Sequence, residues 1–378
     1  MKILIAIDSF KGSATSKEIN AAVSQGIKNL APEAHIETLS VADGGEGTSA
    51  AFHENGQGKL MQINALDLFD RPVQANYCLI DGKTAVVEVA ETAGIYYLNK
   101  EYESNQASSF GFGKMLQSIA IENPQIEKFL IGLGGSGIND AGIGMMQALG
   151  VSFKKSDGSE IGRGTTDIIN ITEIDDSGLD NVLKDKEIIL LSDVKISLIG
   201  PNGATFVFGS QKGIEDLAKV DQALAHYAKK LYEKFGIDYS NTAGTGAAGG
   251  LGISFLHFFN SHFVSGGEYI MEKIGMEEKM RDVDLVITGE GKMDRQSAYG
   301  KLPMIITHLA KKQNKIVIAV VGDAAEVHQD NYPTEIDLVL SLSRGPITLR
   351  ESILQTKKLA EYTGEDIIRI MNLNSRLK

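Results

Sequence analysis

The 378-residue sequence has few of the residues that characterise secreted or membrane proteins. It contains one cysteine, Cys78, together with seven prolines and no tryptophan. A single cysteine excludes an intrachain disulfide bond and any zinc site that needs two or more cysteines. No segment approaches the roughly 18–20 apolar residues of a membrane span, and the apolar start, residues 1–7, is too short for a signal peptide. The sequence therefore predicts a cytoplasmic protein that does not associate with membranes.

Positive charge is also scarce. The chain has 37 lysines and arginines against 49 aspartates and glutamates, which gives a net charge of −12 at pH 7. Because nucleic acids and anionic lipids repel such a chain, neither is a predicted partner. The hydrophobic fraction of 43% and the charged fraction of 23% are ordinary for a globular protein. At about 150 residues per domain, the length predicts two domains.

Glycine, by contrast, is abundant, with 41 residues that cluster after short apolar runs. This arrangement is typical of the strand-to-helix loops of α/β proteins. A strand over residues 3–7, a helix that begins at a capping box of Thr15 and Glu18, and a strand over residues 35–39 form a βαβ unit. Such a unit predicts parallel pairing of its two strands.

The pattern changes after residue 60. Consecutive apolar runs between residues 60 and 89 are separated only by turns, which predicts antiparallel hairpins. Alternating strands and helices return near residue 283. We therefore predict an α/β protein in which residues 1–60 and 283–378 form one domain, and residues 61–282 form an inserted second α/β domain.

Four of the glycine-containing loops also carry acidic, basic or hydroxyl side chains. They contain Asp8, Ser9 and Lys11; Asp43 and Glu46; Ser136, Asn139 and Asp140; and Glu290, Lys292 and Asp294. Backbone amides at helix N-termini bind phosphate, and Mg²⁺ is commonly held by one or two carboxylates together with substrate phosphates. The combination favours phosphoryl transfer over hydride transfer.

Two of these acids follow strands that we expect to be neighbours. Asp8 ends the first strand, and Glu290 ends a strand that begins at Asp284. A flavodoxin-like strand order places the two strands side by side, and ligands of open parallel sheets bind outside the carboxyl ends of the strands. Both acids would then face one crevice. The alternative for Asp8 is a helix-capping aspartate, which is common in such loops.

Five motifs together resemble the signatures of the bacterial glycerate kinase family, type I. They are residues 8–13 (DSFKGS), 42–48 (ADGGEGT), 132–136 (GLGGS) with Asn139 and Asp140, 289–294 (GEGKMD) and 341–346 (SLSRGP). Their order and spacing match the family along essentially the whole chain. The resemblance implies ATP-dependent phosphorylation of D-glycerate, with 2-phosphoglycerate favoured over 3-phosphoglycerate. It also implies a flavodoxin-like (Rossmann-like) domain interrupted by a second α/β domain, with the active site in the cleft between them.

The sequence departs from the family pattern in one segment. The family usually shows Cys-Asp-Val followed by Asn-Pro-Leu, whereas this chain has Ser192-Asp193-Val194 and then Ile196-Ser197-Leu198. The aspartate is retained and the Asn-Pro pair is missing. Ser210 also stands where proline is usual.

The resemblance and the chemistry of the loops assign candidate roles. We interpret Asp193 as the base that accepts the glycerate hydroxyl proton, with Asp8 as the second candidate. Lys11 or Lys292 would meet the substrate carboxylate or the transferred phosphoryl group. Candidate substrate- and phosphate-binding residues are Ser9, Gly134, Gly135, Ser136, Asn139, Asp140, Gln211, Lys212, Gly289, Gly291, Asp294 and Lys301, and candidate Mg²⁺ ligands are Asp43, Glu46 and Glu290.

Two other functions remain open on the sequence. Residues 132–137 and 244–249 each match Gly-x-Gly-x-x-Gly, which is compatible with an NAD(P)-dependent oxidoreductase acting on a small hydroxy acid. A non-catalytic sensor of small anions is the second alternative, although an anion sensor gains nothing from so many carboxylates. The sequence leaves the oligomeric state open between a monomer and a homodimer.

Overall fold

The computed structural model describes residues 1–98, 103–293, 301–327 and 332–376. The strands are β1 (Lys2–Ile7), β2 (His35–Thr38), β3 (Lys59–Leu66), β4 (Pro72–Ile80), β5 (Thr84–Glu88), β6 (Lys128–Gly132), β7 (Ser152–Lys154), β8 (Glu173–Asp175), β9 (Glu187–Leu191), β10 (Ser261–Val264), β11 (Leu285–Lys292), β12 (Ile316–Asp323) and β13 (Leu338–Ser341). The helices are α1 (Ser16–Leu30), α2 (Thr48–Glu54), α3 (Ala90–Ala93), α4 (Phe110–Glu122), α5 (Ile143–Ala148), α6 (Ala204–Phe208), α7 (Leu217–Phe235), α8 (Leu251–Phe258), α9 (Gly266–Lys273), α10 (Met276–Lys279), α11 (Leu302–Lys312) and α12 (Leu349–Arg376). None of the helices in these ranges is both long and apolar enough to cross a membrane.

The chain divides into two compact units. The first unit comprises Met1–Asp43, Ala50–Gln57 and Gly267–Lys378, and the second comprises Gly44–Ser49 and Gly58–Gly266. Helix α10 and nearly all of α9 therefore belong to the first unit, whereas the predicted inserted domain, residues 61–282, includes them.

The first unit contains a five-stranded sheet in the order β13-β12-β11-β1-β2, in which all neighbouring strands are parallel. This confirms the predicted flavodoxin-like order. Strand β1 lies beside β11, with Ile7 opposite Gly289. The apolar run of β1 is buried, as expected for a central parallel strand that is covered on both faces.

Helices α1 and α12 pack closely in the first unit. A Cβ atom at Gly26 would lie 1.8 Å from the carbonyl oxygen of Glu361, and one at Gly364 would lie 2.3 Å from that of Val23. Glycine at both positions therefore allows the two helix backbones to approach. The predicted capping box at the start of α1 is present, and Thr348 forms a second one with Glu351 before α12.

The second unit contains a six-stranded sheet in the order β10-β9-β6-β5-β4-β3, and a separate hairpin of β7 and β8. Strands β3, β4 and β5 pair antiparallel, as the sequence predicts, and β5, β6, β9 and β10 are parallel. The carboxyl ends of β5 and β6 meet at one edge, where Glu88 lies opposite Gly132. The loops that follow β5 and β6 begin at this edge.

Strand β11 is longer than the sequence pattern indicates. The interpretation of residues 289–294 as a loop is wrong for Gly289–Lys292, because these residues continue to pair with β12 as far as Asp323. A Cβ atom at Gly289 would lie 1.7 Å from the carbonyl oxygen of Val320. Glycine is thus required here by close strand packing and not by a turn.

Candidate active site

A cavity of about 660 Å³ lies in the first unit at the carboxyl ends of β1 and β11. We call it the acidic cavity. Of the residues with predicted functions, it is lined by Asp8, Ser9, Lys11, Asp43, Glu290, Gly291, Lys292 and Lys301. Asp8 and Glu290 therefore line the same cavity, as predicted, although the two residues lie near opposite ends of the chain. Asp294 lies outside the described residues.

Asp8 is an acid of the cavity with a strongly altered proton affinity. Its carboxylate accepts a hydrogen bond of 2.7 Å from the Ser9 amide. Burial, with the negative charges of Asp43 and Glu290, raises the pKa of Asp8 to about 7, against the opposing effects of the Ser9 amide and Lys11. A carboxylate with this pKa can accept a proton near neutral pH, as a general base must.

Lysines balance the acids of the cavity. The Glu290 side chain is 11% exposed, and one of its carboxylate oxygens lies 3.8 Å from Nζ of Lys301, the residue before α11. Nζ of Lys292 is more exposed and lies 3.2 Å from a carboxylate oxygen of Glu326. Together with exposed Lys11, these lysines bring positive charge to a cavity that would otherwise repel an anionic substrate.

The candidate Mg²⁺ ligands are divided between the two units. Asp43 and Glu290 line the acidic cavity, whereas Glu46 is an exposed residue of the second unit. Within the described ranges, no group of three or more histidine, cysteine or acidic side chains forms a ready-made metal site. Mg²⁺ commonly takes one or two carboxylates and completes its shell with water and substrate phosphates. The two acids Asp43 and Glu290 match that number of carboxylates.

Two glycine-rich loops of the second unit lie against each other. The first glycine loop is residues 44–49, and the second glycine loop is residues 133–137, after β6. The amide of Gly134, after β6, donates a 3.3 Å hydrogen bond to the carbonyl oxygen of Gly44. A Cβ atom at Gly134 would lie 2.6 Å from the Cα atom of Gly45. Gly135 has φ = 75°, a left-handed conformation that glycine adopts without strain, and Ser136 is buried. Glycine at 134 therefore allows the contact between the two loops.

Glu88 organises the first of these loops, and the sequence interpretation did not identify it. Its carboxylate accepts hydrogen bonds from the amides of Gly47, at 2.8 Å, and Ser49, at 2.6 Å. Burial raises the pKa of Glu88 to about 7, helped by the charge of Glu91 and opposed by these two amides. A signal was available, because Glu88 ends an apolar strand of Ala85, Val86 and Val87 just as Asp8 follows β1.

Asp140, shortly after the second glycine loop in the chain, holds nearby backbone amides in place. It is completely buried, and its carboxylate accepts hydrogen bonds from both the amide and the hydroxyl of Ser109, and from the amides of Gly142 and Gly144. Burial raises the pKa of Asp140, although these hydrogen bonds oppose the shift. A direct contact of Asp140 with substrate stays a prediction.

Lys212 and Asn139 lie beside this support. Nζ of Lys212 donates a 2.7 Å hydrogen bond to the carbonyl oxygen of Ile138, and burial lowers the pKa of the lysine to about 8, opposed by the charge of Asp140. The Asn139 side chain donates to the hydroxyl of Thr205 at 2.9 Å. Gln211, next to Lys212, is exposed. The structure thus brings together Asn139, Asp140 and Lys212, three of the candidate substrate- and phosphate-binding residues.

Asp193 follows β9 in the second unit and does not line the acidic cavity. Its carboxylate accepts a 2.7 Å hydrogen bond from the hydroxyl of Ser265. Strand β9 ends at Leu191, opposite Gly132 of β6, so Asp193 and the second glycine loop follow neighbouring strands. The two candidate bases, Asp193 and Asp8, accordingly belong to different units.

Comparison with known proteins agrees with these features over the whole chain. The model of the "Glycerate kinase family" matches residues 3–372. A glycerate kinase from Bacillus subtilis is 35% identical over 377 residues, covering 99% of this chain and 98% of its own length. A glycerate 2-kinase from Escherichia coli is 37% identical over 360 residues, covering 93% of both chains.

A solved structure gives the same result in three dimensions. The crystal structure of a proposed glycerate kinase 2 from Salmonella typhimurium superposes with a TM-score of 0.83 at 32% identity, covering 100% of this chain and 99% of the other. This agreement argues against the oxidoreductase and sensor alternatives. From its sequence motifs, its fold and these matches, the chain belongs to the glycerate kinase family.

Proposed function

We propose that this protein transfers the terminal phosphoryl group of ATP to the 2-hydroxyl of D-glycerate, giving 2-phosphoglycerate and ADP. The enzyme class, a phosphotransferase with an alcohol group as acceptor, follows from family membership across residues 3–372, and this match carries the proposal. The choice of the 2-hydroxyl is supported by the Escherichia coli relative, a glycerate 2-kinase.

The acidic cavity supplies the groups that the chemistry needs. Asp8, with a pKa raised to about 7, would accept the proton of the glycerate hydroxyl as its oxygen attacks the phosphorus atom. Positive charge from Lys11, Lys292 and Lys301 would offset the charge on the glycerate carboxylate and on the transferred phosphoryl group. Asp193 is the alternative base.

The second unit would bind phosphate through its backbone. The loop at Gly134, Gly135 and Ser136 follows a parallel strand, which is where amides of α/β proteins are placed against phosphate groups. Lys212 and Asn139 would support this loop, and Gln211, next to Lys212 in the chain, is exposed. We propose that ATP phosphates bind here.

Mg²⁺ fits the acids of the first unit. The charges of Asp43 and Glu290 disfavour the charged form of Asp8, and a cation between these carboxylates would relieve that repulsion. When bound with ATP, Mg²⁺ neutralises charge on the β- and γ-phosphates. We propose Asp43 and Glu290 as its protein ligands, and keep Glu46 as a third candidate.

The test is ADP release from Mg-ATP with and without D-glycerate, followed by ³¹P NMR of the product. We expect ADP release that depends on D-glycerate, and a product spectrum of 2-phosphoglycerate. A folded protein that binds ATP without turning over D-glycerate would contradict the activity. A 3-phosphoglycerate spectrum would contradict the choice of hydroxyl only. A cytoplasmic location, a monomeric or homodimeric state and an active site between the two domains stay predictions.

A further inference from the structure

The segment Gly44–Ser49 has an unusual place in the chain. Its six residues belong to the second unit, while Asp43 directly before it and Ala50 directly after it belong to the first. Asp43 lines the acidic cavity. Whatever holds this segment therefore limits, through the covalent chain, where the Asp43 backbone lies.

Both ends of the segment are fixed within the second unit. The Gly44 carbonyl accepts the hydrogen bond from Gly134, and the Gly47 and Ser49 amides donate to the two oxygens of Glu88. The Ser49 hydroxyl also donates to the carbonyl oxygen of Val86, at 3.1 Å. Glu88 thus accepts hydrogen bonds from two of the segment's amides.

We propose that Glu88 is a positioning residue for phosphoryl transfer. Its carboxylate holds Gly44–Ser49 at the edge of the sheet beside the Gly134 loop, and so fixes Asp43 at the start of the segment and Glu46 within it. The role rests on the proposed function, since Asp43 and Glu46 are candidate metal ligands of that reaction.

The charge of Glu88 is what makes the arrangement specific. Each carboxylate oxygen accepts one amide hydrogen, and such charge-assisted bonds are stronger than bonds between neutral groups. A glutamine has one acceptor oxygen, so its NH₂ group would face a second N–H donor. Burying a carboxylate at 2% exposure is unfavourable without such partners, and the two amides compensate for it.

Kinetics of Glu88→Gln compared with Glu91→Gln test the role. Glu91 is a matched control, because it is a nearby part-buried acid with a different partner. Its carboxylate accepts a 2.6 Å hydrogen bond from the backbone amide of Asn76, which lies outside the segment. We expect kcat of Glu88→Gln to fall about 10- to 100-fold, as for lost supporting partners of metal ligands, with KM for ATP changed less than about threefold. Glu91→Gln should retain wild-type kcat.

NMR of the ligand-free protein separates positioning from general destabilisation. The amide resonances of Gly47 and Ser49 should titrate together with a midpoint of about 7. The negative charge of Glu91 raises the pKa of Glu88, and the charge of Glu46 likewise raises the pKa of Glu91. The midpoint should therefore fall in Glu91→Gln. In Glu88→Gln, with its fold intact, the joint titration should disappear.

The outcomes distinguish the two proposals. Normal kcat in a folded Glu88→Gln would overturn the role of Glu88. Absence of glycerate phosphorylation by the wild type would instead overturn the proposed function. The NMR titration does not depend on that activity, and so remains a test of the Glu88 contacts alone.

Discussion

The amide of Asp8 donates a 3.0 Å hydrogen bond to the carbonyl oxygen of Gly289. This bond extends the pairing of β1 and β11 by one step and places Asp8 next to the residue that precedes Glu290. Two acids from opposite ends of the chain therefore share one cavity because of strand register.

Asp8→Asn should abolish most of the activity. The amide is nearly isosteric with the carboxylate but cannot accept the hydroxyl proton, so kcat should fall about 100-fold or more. Steady-state ADP release measures the effect. Asp284→Asn, at the other end of β11, where its side chain accepts a hydrogen bond from the Lys2 amide, is the control and should retain kcat. Near-normal turnover of Asp8→Asn, with loss in Asp193→Asn, would assign the base to Asp193.

The same substitution should stabilise the protein above neutral pH. The pKa of Asp8 rises from 3.8 to about 7 on folding, so between these values the folded state binds the proton that the unfolded chain releases. The contribution of Asp8 to stability therefore falls as pH rises through this window. At about pH 8, Asp8→Asn should melt roughly 2–4 °C above the wild type, for a gain on the order of 1 kcal/mol.

A thermal melting series from about pH 5 to pH 8.5 checks the sign of this effect. The difference in melting temperature between Asp8→Asn and the wild type should grow with pH and level off above the pKa of about 7. A difference that shrinks as pH rises would show that the carboxylate is stabilised by its surroundings.

Gly289→Ala should destabilise the first unit. The new methyl group would meet the Val320 carbonyl at 1.7 Å, and backbone on both sides leaves little room for adjustment. We expect a loss of about 2 kcal/mol or more, which lowers the melting temperature by several degrees. Gly345→Ala, where no atom lies within 4 Å of the added Cβ, is the matched control and should melt like the wild type.

Magnesium dependence should follow the acids of the cavity. Chelation by EDTA should stop turnover, and Glu290→Gln should raise the Mg²⁺ concentration for half-maximal activity about 10-fold or more, since a ligand of the ion is lost. Glu272→Gln, a surface glutamate paired with Lys273, should leave the Mg²⁺ requirement unchanged. An unchanged requirement in both Glu290→Gln and Asp43→Asn would exclude these residues as ligands.

The sequence predicts those parts of the fold and site that follow from local pattern and parallel topology. Asp8 and Glu290 could be paired in advance because each follows an apolar strand, and the flavodoxin-like order makes the strands neighbours. The strong amphipathic pattern of residues 217–235 predicts a helix, and α7 has these bounds, with Gly236 in a left-handed conformation at its end.

Other features depend on contacts between distant residues. The role of Glu88 was not predicted because its partners, the amides of Gly47 and Ser49, lie some forty residues earlier in a separate segment. The end of β11 was placed too early because pairing with β12 outweighs the turn preference of a Gly-Glu-Gly sequence. Residue type also cannot distinguish a substrate-binding acid from a completely buried one such as Asp140.

The pairing of β1 with β11 has a consequence for synthesis on the ribosome. Ile3 to Ile7 leave the ribosome well before their neighbours Leu285 to Gly289, which are made only after the whole second unit. At roughly 5–20 residues per second, the apolar first strand waits on the order of tens of seconds without one of its partners. The second unit can complete its sheet during that interval. Until β11 is made, the edge of β1 that pairs with it stays open, and an unpaired apolar strand edge favours aggregation.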